Sequence, residues 1–114
     1  MTTDLRNKHC QACEGGVEPL STDQARTLMQ ELHADWKLND ACNEISRNCK
    51  FKNYYQTIAF VNALAWVAHL EDHHPDLEVG YSRCLVRYST HAIGGLSEND
   101  FICAAKIDVL IAIA

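Results

Sequence analysis

No stretch of this 114-residue chain clusters lysine or arginine, and 15 acidic residues outnumber 10 basic ones for a formal charge of -5. Such a surface lacks what non-specific binding to nucleic acid or to an acidic membrane requires. No apolar run reaches the roughly 18 residues that a spanning helix needs. Met1 through Arg6 is not the start of a secretory apolar segment, so a cytoplasmic location is expected. Internal repeats and low-complexity tracts are missing as well. With 47% apolar and 22% charged residues the chain is not a disordered one. At this length it is one domain with a modest core.

Absences also narrow the chemistry. There is no glycine loop suited to a nucleotide phosphate and no HExxH order, and no strained nucleophile elbow is visible around Ser89 and Thr90. Six cysteines are present, but in a reducing compartment they are expected as thiols. Cys42, Cys49, Cys84 and Cys103 fall in segments that read as regular structure, where cysteine serves as a small hydrophobe. Cys10 and Cys13 form a CxxC beside His9, and no second CxxC completes a four-ligand structural zinc site. These two lie in residues 1–19, a polar lead-in with Gly15-Gly16 and Pro19 that reads as a loosely held arm, leaving 20–114 as the domain.

What is present reads in order. Ser21 and Gln24 form a capping box for a helix over 22–33. Residues 36–39 make a short strand, and 44–52 alternate as a half-buried strand in which Arg47 is discordant. Asn53 caps a helix reaching about Asp72, which is apolar nearly all round: Ile58, Val61, Ala65 and Ala68 form one stripe, and Phe60, Leu64 and Val67 another, with Trp66 between. Such a helix covers its sheet on one side and something else on the other. In so small a domain a second copy is the simplest partner, so a homo-oligomer, dimer or tetramer, is expected. Pro75 forces the chain out of helix. Residues 77–81 and 83–90 then form an antiparallel hairpin, and Ser97 caps a final helix. The expected class is α+β, in the order α-β-β-α-β-β-α. It has a four-stranded, mainly antiparallel sheet with three helices on one face.

Histidine titrates near neutrality, and the hairpin brings His91 back towards His73-His74 at the end of the long helix. Proton transfer is one reading. A metal is another, because His69 and His73 are spaced to share a helix face with His91 as third ligand. A third is that the histidines are merely surface groups.

Asp72-His73-His74-Pro75, Tyr81, and the run Ser89-Thr90-His91-Ala92-Ile93-Gly94-Gly95-Leu96-Ser97-Glu98-Asn99-Asp100 resemble the pterin-4a-carbinolamine dehydratase family. Its pattern is HHP, a hairpin, then [ST]THxxxGL[ST]xxD. The resemblance implies dehydration of 4a-hydroxytetrahydrobiopterin to quinonoid dihydropterin, with no metal or redox cofactor. That reaction recycles the pterin used in aromatic amino acid hydroxylation, phenylalanine hydroxylation included. It also implies that His73, His74 and His91 are catalytic. Substrate contacts are implied for Thr90 (through its backbone), for Asp100 at the site's edge, and for Pro75 and Ser89. His69 stands where many members have glutamate. Two alternatives accompany this reading: a protein-binding dimerisation cofactor of transcription, as in animal members, and a metal-dependent hydrolase using His69, His73 and His91.

Overall fold

The computed structural model describes residues 4–11 and 18–112. Helix α1 (Thr22–Met29) opens on the expected capping box. The Ser21 hydroxyl accepts from the Gln24 amide, and the Gln24 side chain accepts from the Ser21 amide. It stops short of His33 because the chain tightens into i−3 bonds, Glu31 to Leu28 and Leu32 to Met29, the common way a helix winds down.

Strands β1 (Lys37–Leu38), β2 (Ile45–Lys50), β3 (Asp76–Val79) and β4 (Arg83–Tyr88) form one sheet in the order β1-β2-β4-β3, with every pairing antiparallel. Helix α2 (Tyr54–Glu71) carries the chain across from β2 to the far edge, and the β3–β4 hairpin folds β4 back beside β2. One face of the sheet is buried through Ile45, Arg47, Cys49, Cys84, Val86 and Tyr88. The period-two pattern of β2 therefore includes its discordant arginine.

Arg47 is tolerated there because Asp108, on helix α3 (Glu98–Ala112), reaches it at 2.6 Å and also accepts from the Trp36 indole at 2.7 Å. Removing one partner of a buried pair strands the other's charge. Asp108→Ala is thus expected to cost about 3–5 kcal/mol of stability, read as a lower urea midpoint with an unchanged slope.

Asn53 caps α2 by accepting from the Gln56 amide. The buried positions of α2 are Thr57, Phe60, Leu64, Ala68 and Glu71, a single stripe at helical spacing. This corrects the two-stripe reading: Ala65 faces out, and Trp66 and Leu70 are 61% and 62% exposed. Thr57 joins the stripe because its hydroxyl is bonded to the carbonyls of Asn53 and Tyr81. Helix α3 is buried along most of its first half, from Asn99 through Ala105. It packs against α2 and against a single 3-10 turn at Leu5–Asn7.

That turn departs from the expectation of a loose arm. Leu5 is 2% exposed and belongs to the core cluster. The backbone carbonyl of Arg6 accepts from Lys106 on α3. A single apolar residue between Asp4 and Arg6 carries no periodicity, so its burial left no pattern to read. Cys13 of the CxxC lies outside the described residues. None of the described helices is long and apolar enough to cross a membrane.

Candidate active site

The end of α2 sets the position of the first catalytic candidate. Asp72 adopts a left-handed conformation (φ 50°) and the His73 amide reaches back to the Ala68 carbonyl at 3.1 Å, the six-to-one bond of a Schellman ending. With Pro75 two residues on, the chain turns sharply. His73 is thereby swung over α3 instead of continuing along the helix face. Its Nε2 lies 2.6 Å from Oδ1 of Asp100. Its ring stacks on Tyr88 at 5.4 Å and 18°, and its carbonyl accepts from the Tyr88 hydroxyl at 3.3 Å.

Asp100 is fully buried, and a buried carboxylate must be bonded on all sides. Its second oxygen accepts from the Thr90 hydroxyl at 2.8 Å and from the Ser97 amide at 3.0 Å. Thr90 Oγ1 and Ser97 Oγ are themselves 2.7 Å apart. The amide bond from Ser97 is the reciprocal half of a capping box at the start of α3. Asp100 is therefore the hub of the site, not its edge. Burial lowers the affinity of His73 for a proton, but the bond and charge of Asp100, helped by Cys103 and Asp72, outweigh it and hold its pKa above the ordinary 6.5. Burial, first among several causes, pushes the Tyr88 phenol far up, so it stays neutral.

His91 is placed by a closed loop. The Thr90 amide donates to the Gly95 carbonyl at 2.8 Å, and the Thr90 carbonyl receives the amides of Ile93 and Gly95. Gly94 is left-handed (φ 66°), which suits glycine. A Cβ on Gly95 would stand 2.8 Å from Pro19. Both backbone groups of Thr90 are thus engaged internally, contrary to the expected backbone contact to substrate; its side chain orients Asp100 instead. His91 is exposed at the loop's tip.

A cavity of about 570 Å³ opens at this point, in the range of small-molecule sites. It is lined by His73, His74, His91, Ser89 and Thr90 and walled opposite by Cys10, Gln11, Glu71 and Asn99. His74 is exposed, with Nδ1 3.2 Å from the Pro75 carbonyl. Pro75 is not part of the lining. His69 is also outside it, exposed, with its ring tilted against Trp66 at 5.2 Å. Among the described residues no three histidine, cysteine, aspartate or glutamate side chains are placed to share a metal ion. The trio His69, His73 and His91 is therefore not brought together. Adjacent turns of α2 separate once Asp72 reverses the chain, so the four-residue spacing of His69 and His73 no longer means one face.

The far wall escaped sequence reasoning. Glu71 is buried and takes the Cys10 amide at 2.7 Å and His9 Nδ1 at 3.0 Å. Burial pushes its carboxyl up, but the bonds from Cys10 and His9 and the charge of Lys106 more than reverse this and hold it below the ordinary range. Asn99 and Gln11 bond reciprocally, side-chain oxygen to amide at 3.0 Å and side-chain nitrogen to carbonyl at 2.5 Å. The Ser97-to-Asp100 spacing was a usable signal for the hub. Nothing in sequence pairs residues 9–11 with positions more than 60 residues away.

Comparison with known proteins places this geometry in context. The family model for pterin 4 alpha carbinolamine dehydratase matches residues 18–110. A protein of Nitrosomonas eutropha, provisionally named pterin-4-alpha-carbinolamine dehydratase, is 62% identical over 108 residues, 95% of this chain and 94% of that one. A Legionella pneumophila protein with the same provisional name is 52% identical over 111 residues, covering 97% and 98%. A crystal structure described as a transcriptional coactivator/pterin dehydratase from Brucella melitensis aligns with TM-score 0.77 at 28% identity, over 82% of this chain and 98% of that one.

Proposed function

Since the chain belongs to the pterin 4 alpha carbinolamine dehydratase family, we propose that it is a hydro-lyase removing the 4a-hydroxyl of 4a-hydroxytetrahydropterin to give quinonoid dihydropterin. The observation that carries this reading is the 2.6 Å contact of His73 with the buried Asp100 at the wall of a small-molecule cavity. Hydroxide is a poor leaving group and must depart as water. A histidine held protonated above its ordinary range by a buried carboxylate is suited to supply that proton. With Nε2 committed to Asp100, Nδ1 is the ring nitrogen left to deliver it. The adjacent ring nitrogen of the pterin stabilises the developing cation at C4a with its lone pair. That nitrogen's proton then passes to a second imidazole, His91 or His74, both exposed on the cavity. One proton is given and one taken, and no electrons change hands. Ser89 and Thr90 line the wall against which the substrate sits.

The physiological role follows from the chemistry: quinonoid dihydropterin is the form a reductase returns to tetrahydropterin after aromatic amino acid hydroxylation. Tyr55, Trp66 and Leu70 project from α2 at 82%, 61% and 62% exposure, which favours a homo-oligomer built on that face. The test generates 4a-hydroxytetrahydropterin in situ and follows quinonoid dihydropterin by absorbance. The expected result is a first-order rate that rises in proportion to added protein; a rate unchanged by protein sinks the assignment.

A further inference from the structure

We propose that Cys10 and Cys103 are an oxidation site, joining in a reversible disulfide that pins the N-terminal segment to α3 behind the catalytic cavity. The sequence pairs Cys10 with Cys13 by spacing, but the fold sets it against a cysteine of the last helix. The two sulfurs are 3.6 Å apart. A disulfide needs about 2 Å, so the remaining closure is about 1.5 Å. That shift is small for a side-chain rotation aided by a short segment.

The segment is already held for it. The Cys10 amide is fixed by Glu71, and Gln11 by both polar atoms of Asn99. Cys103 is fully buried on α3, with its sulfur also 3.8 Å from the His73 carbonyl. Cys10 is half-buried and lines the cavity, so a small oxidant arriving there meets this sulfur first.

The two thiols are unequal. The bond from Cys10 chiefly, then the charge of His73 and the Tyr88 hydroxyl, draw the Cys103 thiol below its ordinary pKa against the effect of burial. The same contact, with burial, pushes Cys10 up. Cys103 is thus the readier of the two to give up its proton, which suits it to act as the resolving nucleophile. With a hydroperoxide as oxidant, the sulfur of Cys10 attacks the O–O bond and its proton passes to the departing oxygen, forming a sulfenic acid and releasing the alcohol or water. The sulfur of Cys103 then attacks that sulfur, the S–O bond breaks, and the Cys103 proton leaves with the hydroxide as water. Two thiols lose two electrons and two protons, the O–O bond takes both, and an external thiol reverses the change.

The experiment treats the full chain with hydrogen peroxide, blocks free thiols, and reads intact mass and a non-reduced peptide map. The expected species, blocked under denaturing conditions, carries two fewer blocking groups than the six of the reduced chain, has its Cys10 and Cys103 peptides joined, reverts with dithiothreitol, and is missing from Cys10→Ser. Amide exchange over residues 4–11 should slow on oxidation in the wild type and not in that variant. A bond from Cys10 to Cys13, a bond between the cross-strand neighbours Cys49 and Cys84, or unlinked over-oxidation of Cys10 overturns the proposal. Cys10 is only half-buried, at the margin of the core, so the control does not depend on refolding a variant of the fully buried Cys103. None of these readouts uses the dehydration assay, so the two readings fail separately.

Discussion

His73→Ala leaves a folded protein and lowers the dehydration rate by about 10²- to 10⁴-fold, the usual worth of a positioned acid. The loss in packing is small by comparison. The His73 side chain is 14% exposed and its main packing partner is the Tyr88 ring, an interaction worth about 0.5–1.5 kcal/mol. The variant does leave Asp100 with one fewer donor, and water entering from the cavity replaces it, since His73 lines that cavity. Loss of that charged bond costs about 1.5–3 kcal/mol, so a variant that is destabilised yet still folded at the assay temperature, with a collapsed rate, separates a chemical role from a structural one. His69→Ala provides the contrast. His69 is exposed and outside the cavity, so its removal should leave the rate within about twofold, as surface changes usually do.

Asp100→Asn acts on both stability and protonation. The carboxylate accepts from His73, Thr90 and the Ser97 amide, and bonds to a charged group are worth about 1.5–3 kcal/mol each in net stability. An amide keeps one acceptor and turns a donor toward the other partners, so a loss of about 2–4 kcal/mol is expected, below the simple sum because one acceptor is retained and the Thr90–Ser97 hydroxyl bond survives. The protonation effect has a definite sign. In the wild type His73 is raised above 6.5. It therefore contributes stability that is fully present below pH 6.5 and lost as pH rises through the folded value. In Asp100→Asn burial acts without the opposing carboxylate, the pKa falls below the ordinary value, and that slope disappears or inverts. Urea midpoints across this window, with the His73 ring protons followed by NMR, read both effects.

The parts of the fold carried by local rules were legible beforehand. Capping boxes, the alternation of β2 and β4, and the proline after α2 led to the right element order, and the hairpin placed His91 near His73. What could not be read depended on long-range contacts or on single residues. From the residues alone the hub at Asp100 read as a helix-start acid, and from the family resemblance as a position at the site's edge, because a serine followed three residues later by aspartate describes a cap equally well whether solvent or a histidine stands beyond it. Leu5 sits alone among polar neighbours, and Glu71 looked like one more charged residue at a helix end. Each is buried because of something more than 20 residues away, where neither periodicity nor spacing reports. His69 failed in the opposite direction: its spacing from His73 suggested a shared face, but the left-handed Asp72 (φ 50°) breaks that relation. His69 in place of a family glutamate has no structural explanation here.

The pH dependence of kcat/KM for dehydration, measured side by side for the wild type and Asp100→Asn, tests most directly whether the His73–Asp100 pair supplies the acid. For free enzyme that profile reports the groups that must hold or lack a proton. The expected result is an alkaline limb in the wild type that begins above pH 6.5, moving to lower pH in Asp100→Asn together with the NMR titration of His73. Limbs that coincide in the two proteins, while the His73 titration itself moves, would contradict it.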